Sequence, residues 1–145
     1  MEIIVKKYND LTLDELYEIL KIRNEVFVIE QNCPYLDIDG KDRHSYHVFA
    51  KDSDGIQACL RVLPDNPELD IVMIGRVVTK KRMSGLGRQI MEEGIRTAYN
   101  ILQAKTFRIE AQVQARGFYE KNGFVQSGEE FMLDNILHIE MIHRK

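Results

Sequence analysis

Short runs of alternating apolar and polar residues make up much of this chain, and they predict β-strands. An alternation with period two places every second side chain on one face of a strand, as a half-buried sheet requires. Turn-forming residues separate the runs at 52–55, 64–68 and 134–135. The predicted strands are 3–8, 47–51, 56–63, 71–78, 106–111, 124–127, 129–133 and 137–142, with a bulge at Gly75.

Three stretches follow the helical period instead. Thr12 and Glu15 form a capping box that begins the first helix, which we expect to continue to about residue 27 or 30. Its predicted apolar face is Leu13, Leu16, Tyr17, Leu20, Asn24 and Phe27. The second helix follows two glycines, and its predicted buried face is Ile90, Met91, Ile95, Ala98, Ile101 and Leu102. The third helix carries Tyr119 and ends at Asn122 and Gly123, a typical helix stop.

The order of these elements predicts an α/β protein of the α+β type. Residues 1–145 would form a single domain, in which helices flank a mostly antiparallel central sheet. The strand–helix–strand passage around the second helix predicts one parallel pair of neighbouring strands. A loop over residues 31–45, rich in Pro, Asp and Gly, separates the first helix from the following hairpin.

Composition narrows the class of protein. The chain has 145 residues, 44% hydrophobic and 30% charged, with a net charge of −3, as in a soluble globular domain. That net charge argues against a nucleic-acid interface held by bulk electrostatics. No apolar run in the sequence is long enough to span a membrane. Cys33 and Cys59 form no evident disulfide framework and no signal peptide precedes them, so we expect free thiols in a cytoplasmic protein.

The loop between the strand at 71–78 and the second helix carries the clearest chemical signal. Gly85 and Gly87 allow the main chain to approach an anion closely, and the helix after them adds unpaired N–H groups. Arg82 and Arg88 add positive charge. The chain lacks a Walker loop, and Ile90 stands where a dinucleotide fingerprint needs its third glycine. We interpret the loop as a pyrophosphate cradle, and a solvated basic turn at a helix start is the alternative.

A second segment strengthens that interpretation. The loop has the pattern Arg-x-x-Gly-x-Gly at residues 82–87, and the segment QVQARGFYEKNGF follows at residues 112–124. Together they resemble two characteristic segments of the GNAT superfamily of N-acetyltransferases. Ala115, Phe118, Tyr119, Gly123 and Phe124 fall in register, whereas Gln112 replaces the usual Asn and Met83 replaces a frequent glycine. Residues 23–31, 33–42 and 138–141 further resemble the ElaA-like branch of that superfamily.

The resemblance implies acetyl-CoA as the cofactor and a small amine as the partner, with a homodimer as an assembly common in the family. It also implies two central strands that splay apart to admit the acyl-CoA. The first of these strands would offer main-chain groups from Arg76, Val77 and Val78. By the same resemblance, the loop residues at the pyrophosphate are Arg82, Met83, Ser84, Gly85, Leu86, Gly87 and Arg88, and the second segment contributes Gln112, Phe118 and Tyr119.

Transfer of an acetyl group to an amine needs an acid, a base and a donor to the thioester oxygen. Tyr119 matches the family's general acid, and an ordinary amphipathic tyrosine is the alternative. The backbone N–H of Val78 is the candidate donor to the thioester oxygen. The general base stays open among Glu30, Glu110, His138 and a water chain, because no glutamate lies within 71–78. Glu30 follows the first helix, in the segment that usually builds the family's acceptor pocket.

Other clusters are weaker candidates. Asp37, Asp39 and Asp42 resemble part of a calcium loop, but Val48 stands where that loop requires a glutamate. The histidines lack ligand partners at metal spacing, so we expect no metal site. The acidic residues between Glu30 and Asp42 indicate either a cationic acceptor or only a solvated loop. A non-catalytic acyl-CoA-binding sensor is the alternative function, and a nucleotide-binding domain is a third.

Overall fold

The computed structural model describes residues 1–80 and 84–144, so Arg82 and Met83 of the glycine loop lie outside the described residues. Within the described residues there are seven β-strands and three α-helices. The strands are β1 (Glu2–Lys7), β2 (Tyr46–Asp52), β3 (Gly55–Asn66), β4 (Ile71–Thr79), β5 (Thr106–Gln112), β6 (Phe124–Leu133) and β7 (Ile136–His143). The helices are α1 (Leu13–Arg23), α2 (Leu86–Arg96) and α3 (Arg116–Lys121), and π-helical turns extend α1 over Asn24–Glu30 and α2 over Thr97–Ile101.

The strands form one sheet in the order β1-β2-β3-β4-β5-β7-β6. Every neighbouring pair among these described strands is antiparallel except β4 and β5, which run parallel. Parallel neighbours need a crossover connection, and α2 provides it between β4 and β5. The predicted fold class is therefore confirmed, including its single parallel pair.

Side-chain alternation along the strands divides the core between the two faces of the sheet. On β2, Val48 and Ala50 pack in the cluster that contains α2, whereas Phe49 between them packs with α1. Buried members of the α2 cluster include Leu60, Val62, Ile74, Ile90, Met91 and Phe107. The α1 cluster includes Ile19, Ile22, Phe49, Ile56, Cys59 and Val78. Helices thus cover both faces, as predicted.

Helix α1 begins where the capping box predicts, but it buries a different face. Thr12 Oγ1 accepts from the Glu15 N–H at 3.0 Å, and Glu15 Oε1 accepts from the Thr12 N–H at 2.8 Å. Leu13 and Tyr17 are 88% and 70% exposed, so the predicted apolar face is wrong. The buried stripe is Glu15, Ile19, Ile22, Arg23 and Val26. This stripe includes two charged residues, so a search for the most apolar face of the helix selects the face that stays exposed.

Strand β3 is longer than predicted. It continues to Asn66, through most of the turn expected at 64–68, and a 3₁₀ turn begins only at Pro67. Pro64 lies inside the strand, opposite Val72 of β4. The pairing of β2 with β3 ends at Val62, so β3 is an edge on that side at Pro64, and edges tolerate proline.

Two further predictions differ from the structure in detail. Ile101 is 49% exposed, whereas Ile90, Met91 and Ala98 of the same predicted face are buried. Ile101 lies at the end of the π-helical turn, where the helical spacing behind that prediction no longer holds. The strands predicted at 124–127 and 129–133 are one strand, β6, with a register shift between residues 126 and 130. The predicted turn at 134–135 joins β6 to β7, and both of its residues have positive φ.

Candidate active site

The parallel pair β4–β5 separates part-way along its length. Cα pairing runs from Ile71 opposite Thr106 to Ile74 opposite Ile109 and ends there. Beyond that point β4 stays paired with β3, and β5 stays paired with β7. The main chain of residues 75–79 therefore faces a gap on its β5 side, with no strand partner among the described residues. The splayed strands implied by the resemblance are present.

A β-bulge lies on β4 at the start of this gap. Where β3 contributes Leu60 alone, β4 contributes both Arg76 and Val77. The bulge predicted at Gly75 is thus present immediately after it. Arg76 adopts a φ of +51°, in the left-handed region that residues other than glycine rarely occupy. Such a conformation persists only where the surroundings hold it in place.

Pairing with β3 also determines where the main-chain groups of β4 point. The Lys80 N–H donates to the Gln57 carbonyl at 2.9 Å, so these residues form a hydrogen-bonded pair. Hydrogen-bonded and non-hydrogen-bonded pairs alternate in an antiparallel ladder. Val78, opposite Cys59, therefore directs its N–H toward β3, and Thr79 directs its own toward the gap. The register therefore makes Thr79, not Val78, the candidate main-chain donor to a ligand in the gap, because the Val78 N–H predicted for that role is directed at β3.

A cavity of about 1120 Å³ occupies the gap and extends from the glycine loop to the exposed part of the sheet beside the π-helical end of α1. Among the predicted site residues, its wall includes Glu30, Arg76, Val77, Val78, Ser84, Gly85, Gly87, Arg88, Gln112, Phe118 and Tyr119. Leu86 packs in the core instead, so only its main chain can serve a ligand. Single-ligand pockets span roughly 300–1,000 Å³, so the cavity has room for two substrates.

The start of α2 has a conformation that suits an anion. Gly85 is the N-cap residue with a φ of +79°, and a Cβ built there would meet no atom within 4 Å. The first N–H groups of the helix have no partner inside it. A Cβ at Gly87 would lie 3.2 Å from the Phe118 ring, so this glycine permits close packing of α2 on α3. Arg88 is exposed and pairs with Glu92 along the helix at 3.1 Å. These features fit the pyrophosphate of a coenzyme A molecule.

Tyr119 lines the cavity with a largely buried side chain. The ring is 7% exposed and meets the rings of Phe118 and Phe124 edge-on, at centroid distances of 5.1 and 5.8 Å. Burial raises the pKa of its hydroxyl well above the ordinary value, and no hydrogen bond from a described residue opposes that shift. A hydroxyl that stays protonated and has no partner among the described residues can give its proton to a ligand.

The polar loop over residues 31–45 is fixed by paired charges that we call the Arg–Asp network. Its members are Arg23, Arg61, Arg76, Asp37, Asp39 and Asp42. Arg23 donates to Asp42 at 2.7 Å and to Asp37 at 2.9 Å. Arg61 donates to both carboxylate oxygens of Asp39, at 2.8 and 2.7 Å.

The bulge on β4 belongs to the same network. The Arg76 guanidinium pairs with Asp37 at 2.8 Å and lies over the Tyr35 ring, 5.5 Å from its centroid. The left-handed backbone of Arg76 is therefore held by contacts of its own side chain with the loop. This side chain faces the loop, so only the main chain of Arg76 remains for the predicted cofactor contact.

Burial and charge together set the ionisation of the network. Burial alone would raise the pKa of the Asp42 carboxyl, but hydrogen bonds and charge from Arg23 and Arg61 hold it below its ordinary value. Burial would likewise lower the pKa of Arg23, and its bond with Asp42 outweighs that effect. Asp37 and Asp42 are buried, and each aspartate of the network has an arginine partner. The loop is therefore neither simply solvated nor a source of free negative charge for a cationic acceptor.

Gln31 and Gln112 join two sides of the cavity. The Gln112 Nε2 donates to Gln31 Oε1 at 3.1 Å, and the Gln31 Nε2 donates to Gln112 Oε1 at 3.2 Å. Gln114 also donates to Gln112 Oε1, at 2.8 Å. The pair links the π-helical end of α1 to the end of β5, so the amide of Gln112 already bridges two elements of the wall.

The three candidate bases lie along the wall in different environments. Glu30 is exposed, at the end of the π-helical turn. Glu110 accepts a hydrogen bond from the Arg108 guanidinium at 3.1 Å. His138 is 8% exposed, and its Nδ1 lies 2.7 Å from the Ile136 carbonyl oxygen.

Both cysteines are buried free thiols, as predicted. The Cys33 Sγ–H donates to the Asp134 carbonyl at 3.1 Å. Burial raises the pKa of the Cys59 thiol to about 12, so it stays protonated at neutral pH. Within the part of the chain that the structure describes, no three His, Cys, Asp or Glu side chains are grouped to hold a metal ion. None of the described helices has the length and apolar character that a membrane crossing demands.

The family model for the acetyltransferase (GNAT) domain matches residues 9–145. The chain belongs to the GNAT acetyltransferases. ElaA of Escherichia coli (strain K12) is 35% identical to it over 138 residues, which cover 92% of this chain and 90% of ElaA. The similarity to the ElaA-like branch and the class of enzyme, a GNAT N-acetyltransferase, are therefore confirmed.

Solved structures of GNAT proteins agree with the sequence match. The crystal structure of Escherichia coli ElaA has a TM-score of 0.91 and 33% identity to this chain, and the match covers 99% of each chain. An acyl-CoA N-acyltransferase from Pseudomonas aeruginosa also has a TM-score of 0.91, with 36% identity over 99% of this chain and 100% of that one.

Sequence reasoning did not identify the Arg–Asp network of this GNAT acetyltransferase. A signal was present, because Arg61 interrupts the apolar run of β3 and Arg23 follows Ile22 on a buried helix face. A buried arginine requires a paired carboxylate. The chain carries three closely spaced aspartates at 37, 39 and 42, so their pairing with the isolated core arginines could have been predicted from the sequence.

Proposed function

We propose that this GNAT acetyltransferase transfers the acetyl group of acetyl-CoA to a primary amine of a small molecule or peptide, by direct attack in a ternary complex. The observation that carries the proposal is the cavity through the gap between β4 and β5. It connects the start of α2 with Glu110 and His138 on the exposed sheet. One end offers main-chain N–H groups to an anion, and the other offers ionisable side chains to an amine.

Bound acetyl-CoA would supply an activated acetyl group as a thioester. The main chain of residues 82–88 would hold its pyrophosphate, because N–H groups at a helix start carry partial positive charge. Arg88 adds a formal charge to the same end. The gap-facing main-chain groups of Arg76, Val77 and Thr79 would bind the pantetheine arm, whereas the main chain of Val78 faces β3. Phe118, Gln112 and Tyr119 form the opposite wall of the cavity.

Two groups would then act on the thioester. The main-chain N–H of Thr79, which the register directs into the gap, would stabilise charge on the carbonyl oxygen in place of the Val78 N–H, which faces β3. Tyr119 would protonate the departing sulfur. Burial raises its pKa, so the phenol is protonated at neutral pH before the thioester reacts.

The alternative is an acyl-CoA-binding sensor without turnover. The Tyr119 side chain lines the cavity and its hydroxyl has no hydrogen-bond partner among the described residues, so it is available to a reacting ligand, which favours the enzyme. A homodimer and a cytoplasmic location stay predictions from the sequence.

Binding and turnover are measured separately to test the proposal. Calorimetry with coenzyme A reports binding to the full chain. Release of free thiol from acetyl-CoA is then followed with spermidine, glucosamine and Nα-acetyl-lysine amide. We expect binding and amine-dependent thiol release. Binding without release on any amine supports the sensor, and protection against heat by ATP or NAD but not by coenzyme A supports a nucleotide-binding domain.

A further inference from the structure

The hydrogen bond of His138 determines which ring nitrogen carries its proton. Nδ1 lies 2.7 Å from the Ile136 carbonyl oxygen. A carbonyl oxygen only accepts, so Nδ1 must be the donor in this contact. In the neutral imidazole, Nε2 then bears a lone pair and no hydrogen. None of the residues that the structure describes makes a hydrogen bond with that nitrogen.

The position of His138 places this ring against the cavity. His138 lies directly opposite Gln112 in the β5–β7 register, so both side chains emerge on the same face of the sheet. The ring stacks on Phe131 at a centroid distance of 5.9 Å and an interplanar angle of 28°. It is 8% exposed and belongs to the cavity wall. Stacking and the bond to Ile136 hold the ring in one orientation, as a proton acceptor requires.

The other two candidate bases, Glu110 and Glu30, are less suited to accept a proton. The Glu110 carboxylate already accepts a hydrogen bond from the Arg108 guanidinium at 3.1 Å, so one of its oxygens is engaged within the protein. Glu30 is exposed to solvent at the rim, whereas His138 is enclosed beside the gap. His138 alone among the three combines burial, a fixed tautomer and a nitrogen with no bond from the described residues.

We propose that His138 is the general base of this site, acting through Nε2 on the ammonium group of the acceptor; this rests on the proposed acetyltransferase function. One proton passes from R–NH₃⁺ to Nε2. The amine lone pair forms the C–N bond, the C–S bond breaks with its electron pair on sulfur, and Tyr119 protonates that sulfur. The second nitrogen proton returns to the Tyr119 oxygen through water, and His138 releases its own to solvent. The balance is one amide, one thiol and one proton.

The variant His138→Asn removes the base and keeps the structural contact. The Asn amide nitrogen occupies the place of Nδ1 and can still donate to Ile136, while nothing replaces Nε2. With the amine that the thiol-release panel identifies, kcat should fall about 10²- to 10⁴-fold, the usual contribution of a general base. Binding of coenzyme A should be unchanged. His44→Asn, at an exposed histidine outside the cavity wall, should retain wild-type turnover.

The pH profile separates a base from a structural residue. In the wild type, the rise of kcat/KM with pH reports the essential base of the free enzyme. In His138→Asn the rise should move toward the pKa of the free amine, near 10.4 for a lysine side chain. Strands β5, β6 and β7 and the end of α1 carry charged and titratable groups around His138, and all of them are retained in the variant. They are Glu30, Arg108, Glu110, Glu129, Glu130, Glu140 and His143.

A measurement without turnover tests the same claim. Long-range ¹H–¹⁵N correlation spectra of the imidazoles at neutral pH should show His138 as the Nδ1–H tautomer. An Nε2–H tautomer overturns the proposal. The proposal is also overturned if the wild type turns over and His138→Asn has the same rate and pH profile. If turnover is lost only in Glu30→Gln or only in Glu110→Gln, that glutamate is the general base instead. A wild type that binds coenzyme A but never releases thiol overturns both proposals, whereas the other outcomes leave the acetyltransferase function intact.

Discussion

Arg23 and Asp42 form a buried ion pair in which Nη1 and Oδ1 lie 2.7 Å apart. Arg23 comes from the buried stripe of α1, and Asp42 comes from the end of the polar loop, 19 residues later. Asp42 also binds Arg61 of β3 at 3.0 Å. The pair therefore fastens the loop to a helix and to the central sheet at once, beside the wall of the cavity.

Replacement of Arg23 by Met should destabilise the fold strongly. The variant leaves the carboxylates of Asp37 and Asp42 buried without their main partner, and such a loss typically costs about 3–5 kcal/mol. Urea denaturation measures the change in the free energy of unfolding. Lys21→Met removes the same charge from an exposed position of the same helix and should change it by less than about 0.5 kcal/mol. Equal effects of the two variants would contradict a role for the buried pair.

Stability should decline in acid because of the same network. Burial acts to raise the pKa values of Asp39 and Asp42, but the arginines outweigh it and hold them below the ordinary 3.8. Such carboxyls stabilise the fold above the unfolded-state pKa, and this contribution is lost as the pH falls through the folded-state pKa. The free energy of unfolding, measured in urea, should therefore decrease as the pH drops below about 4. Asp42→Asn should flatten this decrease, and Asp10→Asn, at an exposed aspartate outside the network, should not.

Most of the fold was predictable because its signals are local. The capping box at Thr12 and Glu15, the short strand-forming runs and the turn at residues 134–135 each act over a few residues, and the structure contains the capping box, the strands and this turn. The face of α1 was not predictable by hydrophobicity. Two stripes compete on that helix, and the buried one contains Glu15 and Arg23, whose burial depends on distant partners.

The same distinction between local and long-range signals applies to the residues of the site. Local glycine and aromatic spacing indicated the start of α2 and Tyr119 as site candidates, and the structure places both in the wall of one cavity. The bond between Gln31 and Gln112 joins residues 81 positions apart, and no local pattern indicates it. The proton position on His138 depends on the carbonyl of Ile136 at the start of the same strand, and the sequence alone does not indicate which ring nitrogen lies 2.7 Å from it.

Gly85→Val should weaken coenzyme A binding. The side chain would fill the open space at the start of α2 that the pyrophosphate is proposed to occupy. The loss of one charge-assisted hydrogen bond, worth about 1.5–3 kcal/mol, corresponds to roughly 10- to 100-fold in Kd. Calorimetry with coenzyme A measures this. Gly40→Val is a matched control, because Gly40 has a similar φ of +85° and open space around it but lies outside the cavity wall. A similar loss of affinity in both variants would mean that backbone strain, not the cradle, is responsible.

Tyr119→Phe should separate catalysis from binding and from stability. The phenol hydroxyl has no described hydrogen-bond partner, so its removal leaves no buried group unpaired and should change the free energy of unfolding by less than about 1 kcal/mol. Loss of a general acid should lower kcat about 10²- to 10⁴-fold, with the Kd for coenzyme A close to that of the wild type. Stopped-flow thiol release and calorimetry provide the two numbers.

Tyr99→Phe should show the opposite pattern. The Tyr99 hydroxyl bonds with His143 Nδ1 at 2.8 Å, outside the cavity wall, so its removal should cost stability and leave turnover unchanged. If Tyr119→Phe instead loses coenzyme A affinity or unfolds at lower urea concentration than Tyr99→Phe, then Tyr119 acts through packing against Phe118 and Phe124. Retained turnover in Tyr119→Phe would require another proton donor for the thiolate. The Cys59 thiol is protonated but cannot serve, because it is buried in the α1 cluster on the far side of β4 from the gap.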